Sequence, residues 1–182
     1  NASGAVSAPP MQPGYPDLVA RGLEKRFGGK ITAKNLSVGG MDSAWGLQQV
    51  PAVVAEKPDL VLLAFGMNDA SGRRTKEEFS KLILQTKDQI QSALPACDVI
   101  LVAPMTANSE WIYAAPEVYP VYAAELGKLT APGCAMADVT AVWSAVAAKK
   151  TYLSLSGNGL NHPNDFGHRL YADVVLAVIG GK

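Results

Sequence analysis

Apolar residues along the chain recur with two different periods, and the period changes mark the elements. Leu18, Val19, Leu23 and Phe27 recur at helical spacing, so residues 16–27 predict a helix that Gly28-Gly29 stops. Residues 31–36 predict a short strand ending at a Gly39-Gly40 turn. Residues 42–56 predict a helix that Pro51 kinks or shortens. Residues 59–65 (DLVLLAF) form an almost continuous apolar run, the pattern of a parallel strand covered on both faces. The clearest helix is 75–94, where Thr75 and Glu78 form a capping-box pattern ahead of Phe79, Leu82, Ile83, Ile90 and Leu94. A second buried strand follows at 98–104 (DVILVAP), then a helix at 115–129, a short strand at 134–139 and a helix running to 149. Residues 1–14 and 151–161 read as loops rich in small and turn-forming residues. The last helix spans 163–179, with Pro163 in its first turn and Gly180-Gly181 beyond its end.

Strands and helices thus alternate without an internal repeat, which predicts a three-layer α/β/α domain around a mostly parallel sheet. The 182 residues fit one domain, 1–182. With 48% hydrophobic and 18% charged residues, the chain can fill a substantial core. Lys+Arg and Asp+Glu are both 16, and no basic run occurs, which argues against nucleic acid or an anionic membrane surface as partner. No apolar run reaches the roughly 18 residues of a membrane span.

In a parallel sheet, ligands bind beyond the carboxyl ends of the strands. The residues placed there are Gly39-Gly40, Gly66 to Asp69, Met105 to Trp111 and the loop before the last helix. Asn68 puts an amide donor at that edge, suited to a developing oxyanion. Alone, it is equally well explained by turn hydrogen bonds. Gly40 can present a backbone N–H as a second donor, or be an ordinary turn glycine. His162, one of two histidines, precedes Pro163 at the start of the last helix and is a candidate general base. His168 lies inside the helix and reads as a surface or packing residue.

Together these segments carry a resemblance. Asn35 to Gly40, the full Gly66-Met67-Asn68-Asp69 (Gly-x-Asn-Asp) and His162-Pro163-Asn164 resemble, in order and context, three of the four sequence blocks of the SGNH (GDSL-like) hydrolases. The stretch Lys57 to Leu63 is similar to the family's approach to its third block. The resemblance runs from Tyr15 to the end of the chain. It implies a flavodoxin-like sheet and a serine-esterase mechanism, with His162 as general base and Gly40 and Asn68 in the oxyanion hole. No metal or organic cofactor is implied.

Two departures stand out. The family's opening block is a strand followed by Gly-Asp-Ser, whose serine is the nucleophile, and no Gly-Asp-Ser occurs here. The expectation is therefore that the domain's first strand and nucleophile elbow belong to an additional N-terminal segment of the same protein, since a sheet lacking its central strand exposes unpaired edges. Ser3 and Ser7, and then Ser37, Ser154 and Ser156, are weaker nucleophile candidates; the nucleophile stays unassigned. Second, the family's last block reads Asp-x-x-His, whereas Gly159 stands three residues before His162. A backbone carbonyl, Asn158, or a relocated carboxylate from Asp165 or Asp138 is left to orient the imidazole.

The substrate the resemblance implies is a small-molecule or carbohydrate ester with a short acyl group, acetyl first, as in many small members of the family; no long apolar lid segment is present, and Trp111, Tyr113, Tyr119 and Tyr122 after a strand read either as sugar-stacking aromatics or as helix packing. Lysophospholipase or thioesterase activity is the second choice within the family. A catalytically silent glycan-binding relic is the rival from another class. Cys97 stands just before one strand and Cys134 opens the next; if these strands are neighbours, a disulfide between them is geometrically reasonable and would imply a secreted or periplasmic location. The alternative is two buried thiols.

Overall fold

The computed structural model describes residues 12–180. Three strands, β1 (Leu60–Leu63), β2 (Asp98–Val102) and β3 (Cys134–Ala137), pair in parallel in the order β1-β2-β3. All three coincide with the predicted apolar runs. Successive side chains of a strand point to opposite faces, and β2 uses both. Val99 and Leu101 enter one core cluster, and Ile100 and Val102 enter the other.

The first cluster joins the sheet to α2 (Ser43–Gln48), α3 (Val50–Ala55), α5 (Lys76–Ala93) and α6 (Val118–Lys128), around Phe79, Ile83, Ile90, Tyr119, Tyr122 and Leu126. The second joins it to α1 (Tyr15–Phe27), α7 (Val139–Ala147) and α8 (Asp165–Ile179), around Val19, Leu23, Trp143, Tyr171 and Val175. The three-layer α/β reading therefore holds. The capping box at α5 is formed: Thr75 Oγ1 accepts from the Glu78 N–H at 3.2 Å, and the Thr75 N–H donates to Glu78 Oε2 at 3.4 Å. Among the described residues no helix is long and apolar enough to cross a membrane.

Several expectations need correction. Residues 31–36 form no strand, and 32–35 are exposed. The outer edge of β1 carries no neighbour among the described residues, so an extended segment there has no ladder to join and no face to bury. The 42–56 helix is two helices, broken at Gln49, with Pro51 in the first turn of α3 where its missing N–H costs nothing. Pro163 lies outside α8. Asn164 is the cap residue, its Oδ1 accepting the Gly167 N–H at 2.9 Å, a role that asparagine fills far better than a residue lacking a side-chain acceptor. A five-residue helix, α4 (Met67–Ser71), follows β1 and was not anticipated; it is too short for a periodic signal.

The expected disulfide is absent. Cys97 and Cys134 are both buried free thiols. Cys97 directly precedes β2, Cys134 opens the neighbouring β3, and both lie in the same core cluster. However, Cys134 sits opposite Val99, two residues beyond Cys97. A two-residue stagger across one strand spacing puts the Cα atoms about 8 Å apart, beyond bridging distance. The argument from a disulfide to an oxidising compartment goes with it.

Candidate active site

The loops leaving β1 and β2 and the loop entering α8 meet over a cavity of about 360 Å3 at the carboxyl edge of the sheet. Gly40, Asn68 and His162 all line it, together with Met67, Met105, Trp111 and Tyr113. Three segments far apart in sequence are thus brought to one place.

The exit from β1 explains how Asn68 gets there. Gly66 has φ 120°, and a Cβ at this position would sit 2.9 Å from Pro104 Cγ, so only glycine fits. The chain then turns at once into α4. Asn68 Nδ2 donates to the Met41 carbonyl at 2.7 Å. A carboxamide has two N–H donors, so this bond fixes the side chain and leaves the second for a ligand. Gly40, at φ 78°, precedes Met41 and shares the cavity wall. Beneath them Asp69 is 1% exposed. It accepts the N–H groups of Ser43 at 3.2 Å and Gly66 at 3.1 Å, and the Ser43 hydroxyl.

His162 is held through its backbone. Asn158 Oδ1 accepts the N–H groups of Leu160 at 2.9 Å, Asn161 at 3.0 Å and His162 at 3.1 Å. Ser156 Oγ donates to the His162 carbonyl at 3.0 Å. Asn158 thus shapes the loop and makes no hydrogen bond to the ring. Asp165 is the first residue of α8; its Oδ1 is buried without a partner, as is His162 Nδ1, so the two are not bonded to each other. The Asp138 carboxylate caps α7, accepting from the Ala141 N–H at 2.9 Å. Partial burial holds the His162 imidazole below its ordinary value of 6.5. A base must be neutral to accept a proton, so the acidic limb of a pH–rate profile for kcat/KM is expected to have its midpoint below 6.5. A midpoint above that value contradicts the assignment.

His168 is buried in α8, and its Nδ1 accepts the Tyr15 N–H at 3.2 Å. It is a packing residue of the wall formed by Tyr15 and Tyr171, whose rings stack 5.0 Å apart. Sequence reasoning missed Asn108 and Tyr152. Asn108 Nδ2 donates to the Gly159 carbonyl at 2.9 Å, and the Tyr152 hydroxyl sits between the carbonyls of Thr106 at 3.0 Å and Leu160 at 2.8 Å, so both residues tie the segment after β2 to the histidine loop. Asn108 lies in the edge segment 105–111 that the sequence marks, but nothing local distinguishes it there. Gly167 sets the seat of the same loop. A Cβ there would meet the Leu155 carbonyl oxygen at 2.6 Å and Pro163 Cβ at 2.8 Å. Gly167→Ala is expected to cost about 2 kcal/mol in urea denaturation and to lower turnover by shifting His162; an unchanged midpoint contradicts this packing.

The candidate serines fare unevenly. Ser3 and Ser7 lie outside the described residues. Ser37 is exposed, Ser154 shares a bond with Thr151 at 3.1 Å, and Ser156 serves the His162 carbonyl. Among the described residues, no hydroxyl is hydrogen-bonded to the His162 ring.

The sequence profile of the GDSL-like lipase/acylhydrolase family matches residues 4–170. The chain belongs to this family. No curated protein matches its sequence. Among solved structures, it is similar to a catalytic mutant of Axe2, an acetylxylan esterase from Geobacillus stearothermophilus. The TM-score is 0.81 and the identity 18%, over 100% of this chain and 91% of that one. It is also similar to LAE5, an alpha/beta hydrolase enzyme from the metagenome of Lake Arreo, at TM-score 0.72 and 22% identity, over 90% of this chain and 80% of that one. At these identities the likeness establishes the fold, that of the SGNH hydrolases. The Axe2 structures include catalytic mutants in which a serine, an aspartate or a histidine is replaced by alanine. In this GDSL-family chain His162-Pro163-Asn164 opens the approach to α8, and Gly159, not an aspartate, stands three residues before His162.

Proposed function

We propose that the protein hydrolyses short-chain carboxylic esters, acetyl esters of carbohydrates foremost, through an acyl-enzyme on a serine outside residues 12–180. The convergence of Gly40, Asn68 and His162 on one cavity carries this reading. The serine hydroxyl attacks the ester carbonyl while His162 takes its proton. The Asn68 amide and the Gly40 N–H stabilise the oxyanion, and the protonated His162 gives its proton to the leaving alcohol. Water then attacks the acyl-enzyme with His162 again as base, releasing the acid and the serine.

The edge of β1 that no strand of the described residues covers is where we place the nucleophile's strand. A parallel neighbour along Leu60–Leu63 would cover that edge and end beside Asn68 and the cavity. At the cavity wall Trp111 and Tyr113 meet edge to face at 5.6 Å, and Tyr113 is 57% exposed. Exposed aromatic faces favour sugar rings, and one structural neighbour is described as an acetylxylan esterase.

The test is turnover of p-nitrophenyl acetate and release of acetate from acetylated xylo-oligosaccharides by the full-length protein. Saturable turnover of both is expected. Oligosaccharide binding without release of acetate would contradict the esterase and make the protein a glycan-binding relic of the fold.

A further inference from the structure

Gly40 lies in the loop before α2 and Asn68 in α4, and one cation links the two segments. Arg74 follows α4, and its own backbone is pinned at both ends. Its N–H donates to the Asp69 carbonyl at 2.9 Å, and its carbonyl accepts the Tyr122 hydroxyl at 2.6 Å. From that anchor its Nε donates to Asp69 Oδ1 at 2.7 Å and its Nη2 to Asp42 Oδ2 at 2.6 Å. Asp69 is the neighbour of Asn68. Asp42 follows Met41, whose carbonyl holds the Asn68 amide, and lies two residues after Gly40. Asp42 also caps α2 through the Trp45 N–H at 3.0 Å, so the Gly40 loop is fixed from both sides.

We propose that Arg74 is the positioning residue of the oxyanion hole, setting the distance between its two donors by clamping Asp69 and Asp42 in one guanidinium fork. The kinetic part of this inference rests on the esterase reading; the geometric part does not. The Asp69 side chain has 0% exposure, and removing the cation paired with a buried carboxylate is strongly destabilising. Arginine suits the task because its planar fork addresses two carboxylates at fixed angles, which a lysine ammonium does not. An oxyanion hole works by preorganisation, so a small shift in donor spacing acts on the transition state more than on the bound ester.

The experiment compares Arg74→Met and Arg74→Lys with the unaltered protein by two readouts. The first is the NMR resonances of the Gly40 amide and the Asn68 side-chain amide. Both are expected to move in Arg74→Met, and by less in Arg74→Lys, while the amides of β2 stay in place. The second is steady-state kinetics on p-nitrophenyl acetate, where kcat for Arg74→Met is expected to fall about 30-fold with KM within about twofold. Should Arg74→Met fail to fold, Arg74→Lys carries both readouts. Unmoved Gly40 and Asn68 resonances in a folded variant, or a loss expressed in KM with kcat intact, overturns the proposal. Lack of turnover by the unaltered protein would instead defeat the esterase reading, and the resonances would still decide on Arg74.

Discussion

Replacing His162 by alanine is expected to lower kcat on p-nitrophenyl acetate by about 10^4-fold while leaving the fold intact. The imidazole lines the cavity, and the loop that carries it is built from backbone bonds that alanine would keep: the 162 N–H to Asn158 Oδ1 at 3.1 Å and the 162 carbonyl to Ser156 Oγ at 3.0 Å. The ring itself contributes little to stability, because its buried Nδ1 has no partner. Loss of the base therefore shows in turnover and hardly at all in the thermal midpoint. A variant that keeps a tenth of the activity would remove His162 from the mechanism.

Asn68→Ala is expected to reduce kcat by about 300-fold with KM changed less than about threefold, the signature of a donor that acts on the oxyanion more than on the bound ester. Part of the effect would come from the bond Asn68 makes to the Met41 carbonyl at 2.7 Å, whose loss loosens the Gly40 loop as well. Steady-state kinetics with a short p-nitrophenyl ester separates the two parameters. An increase in KM alone would make Asn68 a substrate-binding residue instead.

The parts of the fold that could be read from sequence are those fixed by local pattern. DLVLLAF and DVILVAP announce strands because both faces are covered, and Thr75 with Glu78 announces a helix start because the cap is made within four residues. Gly66 to Asp69 was legible for the same reason: the tight exit from β1 and the amide it presents are one short segment. What stayed hidden depends on partners distant in sequence. Residues 31–36 have strand-forming composition, but strand formation needs a neighbour, and the described residues provide none. Cys97 and Cys134 were rightly placed at the starts of adjacent strands, yet only the register shows the stagger that keeps them apart. Asn158 is the exception: the three N–H groups it holds are close by in sequence, but its place beside His162 did not tell this backbone role from a bond to the ring. The links from Asn108 to Gly159, Tyr152 to Thr106 and Arg74 to Asp42 join segments that no spacing rule connects.

The account turns on where the nucleophile sits, and mapping a fluorophosphonate adduct in the full-length protein addresses that directly. Peptide mass spectrometry is expected to find one adduct, on a serine outside residues 12–180, formed at a rate that collapses in His162→Ala. An adduct on Ser37, Ser71, Ser154 or Ser156, or no adduct and no turnover, would contradict the account.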